Sequence, residues 1–202
     1  MAQVHRSQLG APNPRIQRTP SAPPSRKPLG ALKPRCLSIA LMMAAFGASH
    51  LWADKQLPPP GKITVCSTDG AFCAIADPTG PSLSVFRRGA TAAVWSLPAW
   101  HRQFFLSNDG DHLVIGPEGL SLLPLETRLS DRLLIFMKRE AVVRVVTVGD
   151  LFPDLSLLRR TASHLEWGRV VGISPRGQLV VELVGGRRVA YGVRTGLKEA
   201  ER

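Results

Sequence analysis

The feature that most constrains this chain is a recurring format: an apolar strand, a glycine turn, then a second apolar strand. It appears in ITVCSTDGAFCAI, FFLSNDGDHLVI and VVGISPRGQLVVEL, with turn glycines Gly70, Gly110 and Gly177. Short β-rich runs closed by such turns predict antiparallel hairpins. Asp69-Gly70 and Asp109-Gly110 read as two-residue hairpin turns, whose central positions both want positive φ. A fourth hairpin is predicted where LLIFM and AVVRVVTV are joined by Lys138-Arg139-Glu140. The interval from Gly70 to Gly110 is 40 residues, the length of one four-stranded propeller blade. At that length, residues 54–202 fall short of the four blades a closed propeller needs. The expected fold is therefore mainly β, with blade-like antiparallel hairpins forming a sandwich, a partly open barrel or an incomplete propeller. Open arrangements leave strand edges exposed, which points to a homodimer through sheet edges.

One segment breaks the β pattern. Leu151, Leu155 and Leu158 fall at i, i+4 and i+7, with Asp150 available as a cap and Pro153 tolerated in a first turn. This predicts one short helix over about 151–160.

Upstream, the composition changes sharply. Residues 1–35 hold seven Lys/Arg, no Asp or Glu, and the Pro-rich string APNPRIQRTPSAPPSRKP. Such a leader buries no core and reads as disordered. Residues 36–53, CLSIALMMAAFGASHLWA, carry no charge. A basic segment, an apolar segment and a small residue before polar sequence describe an export signal. The alternative is an uncleaved inner-membrane anchor with the basic leader as a cytoplasmic tail. Both place residues 54–202 in the periplasm or outside the cell, as one β-rich domain.

The leader also accounts for much of the charge. The formal +11 invites a nucleic-acid reading, but beyond the leader 19 Lys/Arg face 15 Asp/Glu. The pairs Arg87-Arg88, Arg159-Arg160 and Arg187-Arg188 are scattered, with no basic helix and no RNA-binding motif, which argues against a nucleic-acid partner.

Cys66 and Cys73 are the sharpest chemical signal. A turn centred on Asp69-Gly70 sets residue 66 opposite 73, so a disulfide is expected in an oxidising compartment. Directly opposed Cβ atoms lie about 4.5–5.5 Å apart, which predicts some strain in the bridge. C-x6-C without further Cys or spaced His is not a zinc site, and Asp109-Gly110-Asp111-His112 lacks the spacing of a calcium loop. No metal and no cofactor is expected.

The densest functional-looking cluster is Ser163, His164 and Glu166, with Asp150 or Asp154 as candidates to orient the histidine. These are the catalytic candidates of a hydrolase-like enzyme. Adjacent residues on a strand point to opposite faces, so Ser163 and His164 are not expected to hydrogen-bond. There is no G-x-S-x-G elbow and no P-loop. Trp100, His101 and Arg102 lie in a loop after Pro98, where an aromatic can stack on a sugar or fill a partner's pocket. They are the binding candidates, toward an envelope protein or glycan.

The strings FFLSNDGDHLVIGPEGLSLLPL, LRRTASHLEWG and VVELVGGRRVAYGVRTG resemble a family of uncharacterised exported bacterial proteins with propeller-blade-like β repeats. The likeness covers most of residues 62–196, and LSNDG…GLSLLPL and RTASHLEWG are its most specific parts. It implies an exported β domain and supplies no catalytic residues. Residues and resemblance together favour a non-enzymatic binding or structural domain over an enzyme.

Overall fold

The computed structural model describes residues 57–80 and 82–200. The basic leader and the uncharged run at 36–53 lie outside the described residues. In chain order, β1 (Ile63–Cys66), β2 (Phe72–Asp77), β3 (Ser82–Arg87) and β4 (Ala93–Leu97) form the first antiparallel meander, sheet one. The next strands are β5 (Phe104–Leu106), β6 (His112–Ile115), β7 (Leu122–Pro124), β8 (Arg132–Lys138) and β9 (Ala141–Thr147). Sheet two takes β5-β6-β8-β9 and leaves β7 out. After a helical turn α1 (Val148–Leu151) come β10 (Arg159–Arg160) and β11 (His164–Glu166). These two join β7 in a small three-stranded sheet, order β10-β11-β7. Sheet three is a third meander, β12 (Gly168–Ile173), β13 (Gln178–Leu183), β14 (Arg188–Gly192) and β15 (Lys198–Glu199). All pairings are antiparallel, and the described residues form no closed barrel. The expectation of blade-like hairpins in an incomplete array holds.

Sheet two is the middle layer. Alternate residues of its central strands enter two different cores, as a period of two requires. Leu113, Ile115 and Met137 pack with Ala74, Leu83, Val85 and Trp95 of sheet one. Val114, Leu134 and Phe136 pack with Leu179, Val181 and Tyr191 of sheet three, and with Trp167. This explains why LLIFM reads as a continuous apolar run: it is covered on both faces. The first strands β1 and β12 both lie against β5.

Tryptophans tie the layers by hydrogen bonds as well as by area. Trp95 Nε1 donates to the Gly110 carbonyl at 2.7 Å, from sheet one to the β5–β6 turn. Trp167 Nε1 donates to the Leu120 carbonyl at 2.7 Å.

The glycine turns differ from the two-residue form expected from sequence. Gly70 and Gly110 have φ of 70° and 69°, but neither Asp69 nor Asp109 has positive φ. Serine closes the loop instead. Ser67 N–H donates to the Phe72 carbonyl at 2.9 Å, and Gly70 N–H to the Ser67 carbonyl at 2.9 Å. Ser67 Oγ donates to Asp69 Oδ1 at 2.6 Å and accepts from Phe72 N–H at 3.1 Å. The β5–β6 turn repeats the pattern: Ser107 Oγ donates to Asp109 Oδ1 and accepts from His112 N–H at 3.1 Å. Ser174 N–H donates to the Gln178 carbonyl at 2.8 Å in the third turn. The predicted strand register survives this correction, with Cys66 opposite Cys73.

Those cysteines form a disulfide on the outer face of sheet one, with Cα atoms 3.9 Å apart. Because Ser67 and Phe72 are the hydrogen-bonded pair, the next pair out is a non-hydrogen-bonded one, where the backbones approach most closely.

The helical segment is present but broken in two. Thr147 N–H and Oγ1 both donate to Asp150 Oδ2, at 2.7 and 2.9 Å, which starts α1 earlier than the leucine spacing predicts. Phe152, before Pro153, is extended (φ −128°, ψ 115°), as the residue before a proline tends to be. A 3-10 turn, Leu155–Leu157, follows, capped by Asp154 Oδ1 accepting from Ser156 N–H at 2.7 Å.

Three edge strands carry an extra residue. Val94 on β4, Val143 on β9 and Val171 on β12 have no opposite partner, so each strand bulges there. These residues are 45%, 43% and 50% exposed.

Candidate functional site

The loop with Trp100, His101 and Arg102 is engaged within the fold. Trp100 Nε1 donates to the Gly61 carbonyl at 2.9 Å, fixing the chain entering β1. The Arg102 guanidinium lies 5.1 Å over the Trp100 ring. Glu118 Oε1 stands 3.5 Å from His101 Nδ1, and its carboxylate accepts weakly from Arg102 N–H at 3.3 Å. This segment works as a strut between sheets one and two, with Trp100 partly buried.

At the second cluster the structure corrects the alternation argument. Ser163 precedes β11, so it is not bound to the opposite face, and Ser163 Oγ lies 2.9 Å from His164 Nδ1. The other proposed members are committed elsewhere. Glu166 pairs with Arg159, Asp150 holds Thr147, and Asp154 caps the 3-10 turn. His164 lines a cavity of about 500 Å³ that also includes Glu118, Glu126 and Thr127.

The repeat itself separates structure from site. Serine, aspartate and glycine make the same hydrogen bonds in the β1–β2 and β5–β6 turns, so those bonds belong to the fold. What the second turn adds is His112 where the first has Phe72, Asp111 where it has Ala71, and Arg194 reaching in from sheet three. Asp109 Oδ2 meets His112 Nδ1 at 2.9 Å and Arg194 Nη2 at 3.1 Å. Asp109 Oδ1 accepts from Ser107 Oγ, from Asp111 N–H at 3.0 Å and from His112 N–H at 3.2 Å. Burial works against the Asp109 charge, but the Ser107 hydroxyl, the Asp111 N–H and His112 outweigh it and hold the carboxyl well below the usual range. Five donors fill the roughly four lone-pair positions of one carboxylate.

Above Asp109 opens a cleft of about 460 Å³ between the turn ends of sheets two and three, lined by Asn108, Arg176, Gly177, Arg194, Thr195 and Glu199 among others. Asn108 is oriented by its neighbours: its Oδ1 accepts from Thr68 Oγ1 at 2.7 Å and from Asp69 N–H at 3.2 Å. Those two donors fix the amide with Nδ2 on the other side. Arg176 has no ion-pair partner among the described residues, and the Arg194 side chain is 73% exposed beyond its one contact. Glu199 Oε2 accepts from Gln178 Nε2 at 2.7 Å. Sequence reasoning missed this site because Arg194 is 85 residues from Asp109. The signal that could have found it is the recurring S-x-D-G string and what departs from it at 111 and 112.

Among the described residues, no group of three or more His, Cys, Asp or Glu is placed to hold a metal ion, and no helix is long and apolar enough to cross a membrane. The disulfide on an outer face fits an extracellular location. No protein-family model matches the chain, and no curated protein matches it.

Proposed function

We propose that residues 54–202 are an exported, non-enzymatic binding domain of the cell envelope, with the cleft between sheets two and three as its ligand site. The observation that carries this reading is the hydrogen-bond state of that cleft. The Asp109 carboxylate is saturated, which leaves it no lone pair to act as a base, while Arg176, Arg194 and Asn108 line the open cleft. Such a surface is suited to holding a ligand, and its other carboxylate, Glu199, is tied through Oε2 to Gln178. The uncharged run at 36–53 and the disulfide support export, and the likeness to exported bacterial β proteins agrees with it. Intact-mass and N-terminal analysis after cell fractionation tests the address. A chain beginning near Asp54 in the soluble envelope fraction is expected; an unprocessed cytosolic chain refutes export. An unprocessed chain in the membrane would make 36–53 an anchor and keep the domain on the same side.

A second reading has one specific observation in its favour, the 2.9 Å contact between Ser163 Oγ and His164 Nδ1. In it Ser163 is a nucleophile, His164 its base, and the adjoining cavity takes an ester. A fluorophosphonate probe decides between the two. Stoichiometric labelling lost in Ser163→Ala establishes the hydrolase, and an unlabelled protein leaves the binding domain.

A further inference from the structure

Resting on the binding reading, we infer that the ligand of the cleft between sheets two and three carries a phosphate group. In this cleft the donors outnumber the open acceptors. Asp109 takes five donors and has no acceptor capacity left. Asn108 has its Oδ1 filled by Thr68 and Asp69, so only the two hydrogens of Nδ2 remain to be offered. Arg176 lacks a carboxylate partner among the described residues, and Arg194 uses one nitrogen on Asp109 and keeps its other N–H groups. Thr195 Oγ1 accepts from Leu197 N–H at 3.2 Å, which leaves its hydroxyl hydrogen for the cleft. With Asp109 and the Asn108 oxygen filled, and Glu199 Oε2 accepting from Gln178, the open groups of the lining are mainly donors, which selects a ligand made of acceptors, an oxyanion. Guanidinium groups, an amide and a hydroxyl around one opening exceed what the two oxygens of a carboxylate can use. A phosphate, with three or more acceptor oxygens and up to two charges, fits the number. Of the two carboxylates in the lining, Asp109 is paired with Arg194, and Glu199, with no ion-pair partner among the described residues, is the opposing charge that Gln178 holds beside Gly192.

Two sources share this chemistry, a soluble phosphate ester and a lipid headgroup. The experiment is titration calorimetry of the purified protein with inorganic phosphate and glycerol 3-phosphate, beside co-sedimentation with phosphatidylglycerol vesicles and neutral phosphatidylcholine vesicles. Saturable binding is expected to at least one phosphate probe and to no neutral vesicle. Each charge-assisted bond lost should weaken it about tenfold or more, so Arg176→Gln and Asn108→Asp both lower affinity by that factor. Glu199→Gln, which removes the opposing charge and keeps a partner for Gln178, should tighten it. Binding of glycerol 3-phosphate that depends on Arg176 assigns a soluble ester; vesicle binding alone, with the same dependence, assigns a headgroup. No saturable binding to any phosphate probe overturns the inference, as does binding that Arg176→Gln leaves unchanged. Both failures are distinct from failure of the binding reading, which is settled by the address of the chain and by labelling at Ser163.

Discussion

The two serine-closed turns make a matched pair for measuring how sheet two packs on sheet one. Gly70 and Gly110 have the same left-handed backbone, so alanine at either costs about 1–2 kcal/mol in conformation. The gain from a stiffer unfolded chain is also the same at both and cancels in the comparison. Their surroundings differ. A Cβ on Gly70 would meet only Arg88 Nη1, at 3.5 Å, an ordinary contact with a mobile group. A Cβ on Gly110 would fall 2.5 Å from the Phe72 ring, and the ring, itself partly buried, packs against the core between the sheets. Forcing a methyl into a packed core costs about 1–3 kcal/mol more. Gly110→Ala should therefore be less stable than Gly70→Ala by about 1–3 kcal/mol, read by urea denaturation with unchanged m-value. Adding Phe72→Leu should recover part of the loss in the Gly110→Ala protein and none in the Gly70→Ala protein. Equal losses for the two glycine variants would refute the claim that this ring contact decides how the hairpin seats.

Other outcomes follow from the same geometry. Trp95→Phe leaves the Gly110 carbonyl without its buried donor and should cost about 1–3 kcal/mol, measured by the same denaturation series. Reduction of Cys66–Cys73 opens a loop closed by residues only 7 apart in sequence. The chain-entropy argument then gives a loss of at most about 2–3 kcal/mol with the circular dichroism spectrum retained. Asp109 has a folded pKa below its unfolded value of about 3.9, so its stabilisation is complete above that value and is lost as pH falls toward the folded one. Asp109→Asn should flatten the acid limb of the stability profile below about pH 4, and an unchanged limb would contradict the role given to its five donors.

Much of the architecture is legible in the sequence because it is local. Each glycine turn joins strands that pair with each other, so Cys66 and Cys73 can be aligned from the turn between them. The turn mechanism was less legible: Asp-Gly suggested a backbone preference, whereas Ser67 and Ser107 close the loops through their side chains. The short helix is legible in the leucine spacing, but its bounds are not: Thr147 and Asp150 cap a turn that starts earlier, and Pro153 interrupts the run. The Ser163–His164 contact was missed for a related reason, since the alternation rule applies only inside a strand and Ser163 lies just before one. The cleft was least legible. It depends on Arg194 and Arg176 in sheet three meeting Asn108 and Asp109 in sheet two, and no periodicity links positions so far apart.

The bulges at Val94 and Val143 bear on what this molecule does in a crowd of its own copies. The outward rim of the three meanders is made of β4, β9 and β15. Two of these are interrupted by an unmatched residue, and the third is two residues long. An incoming strand that starts in step with β9 loses step at Val143 and would turn its apolar side chains to water. The rim is thus insulated against zipping, which opposes the homodimer through sheet edges that the open hairpins suggested. The protein should elute as a monomer at high concentration, and deleting Val143 should convert β9 into a template that draws copies into larger species on size exclusion.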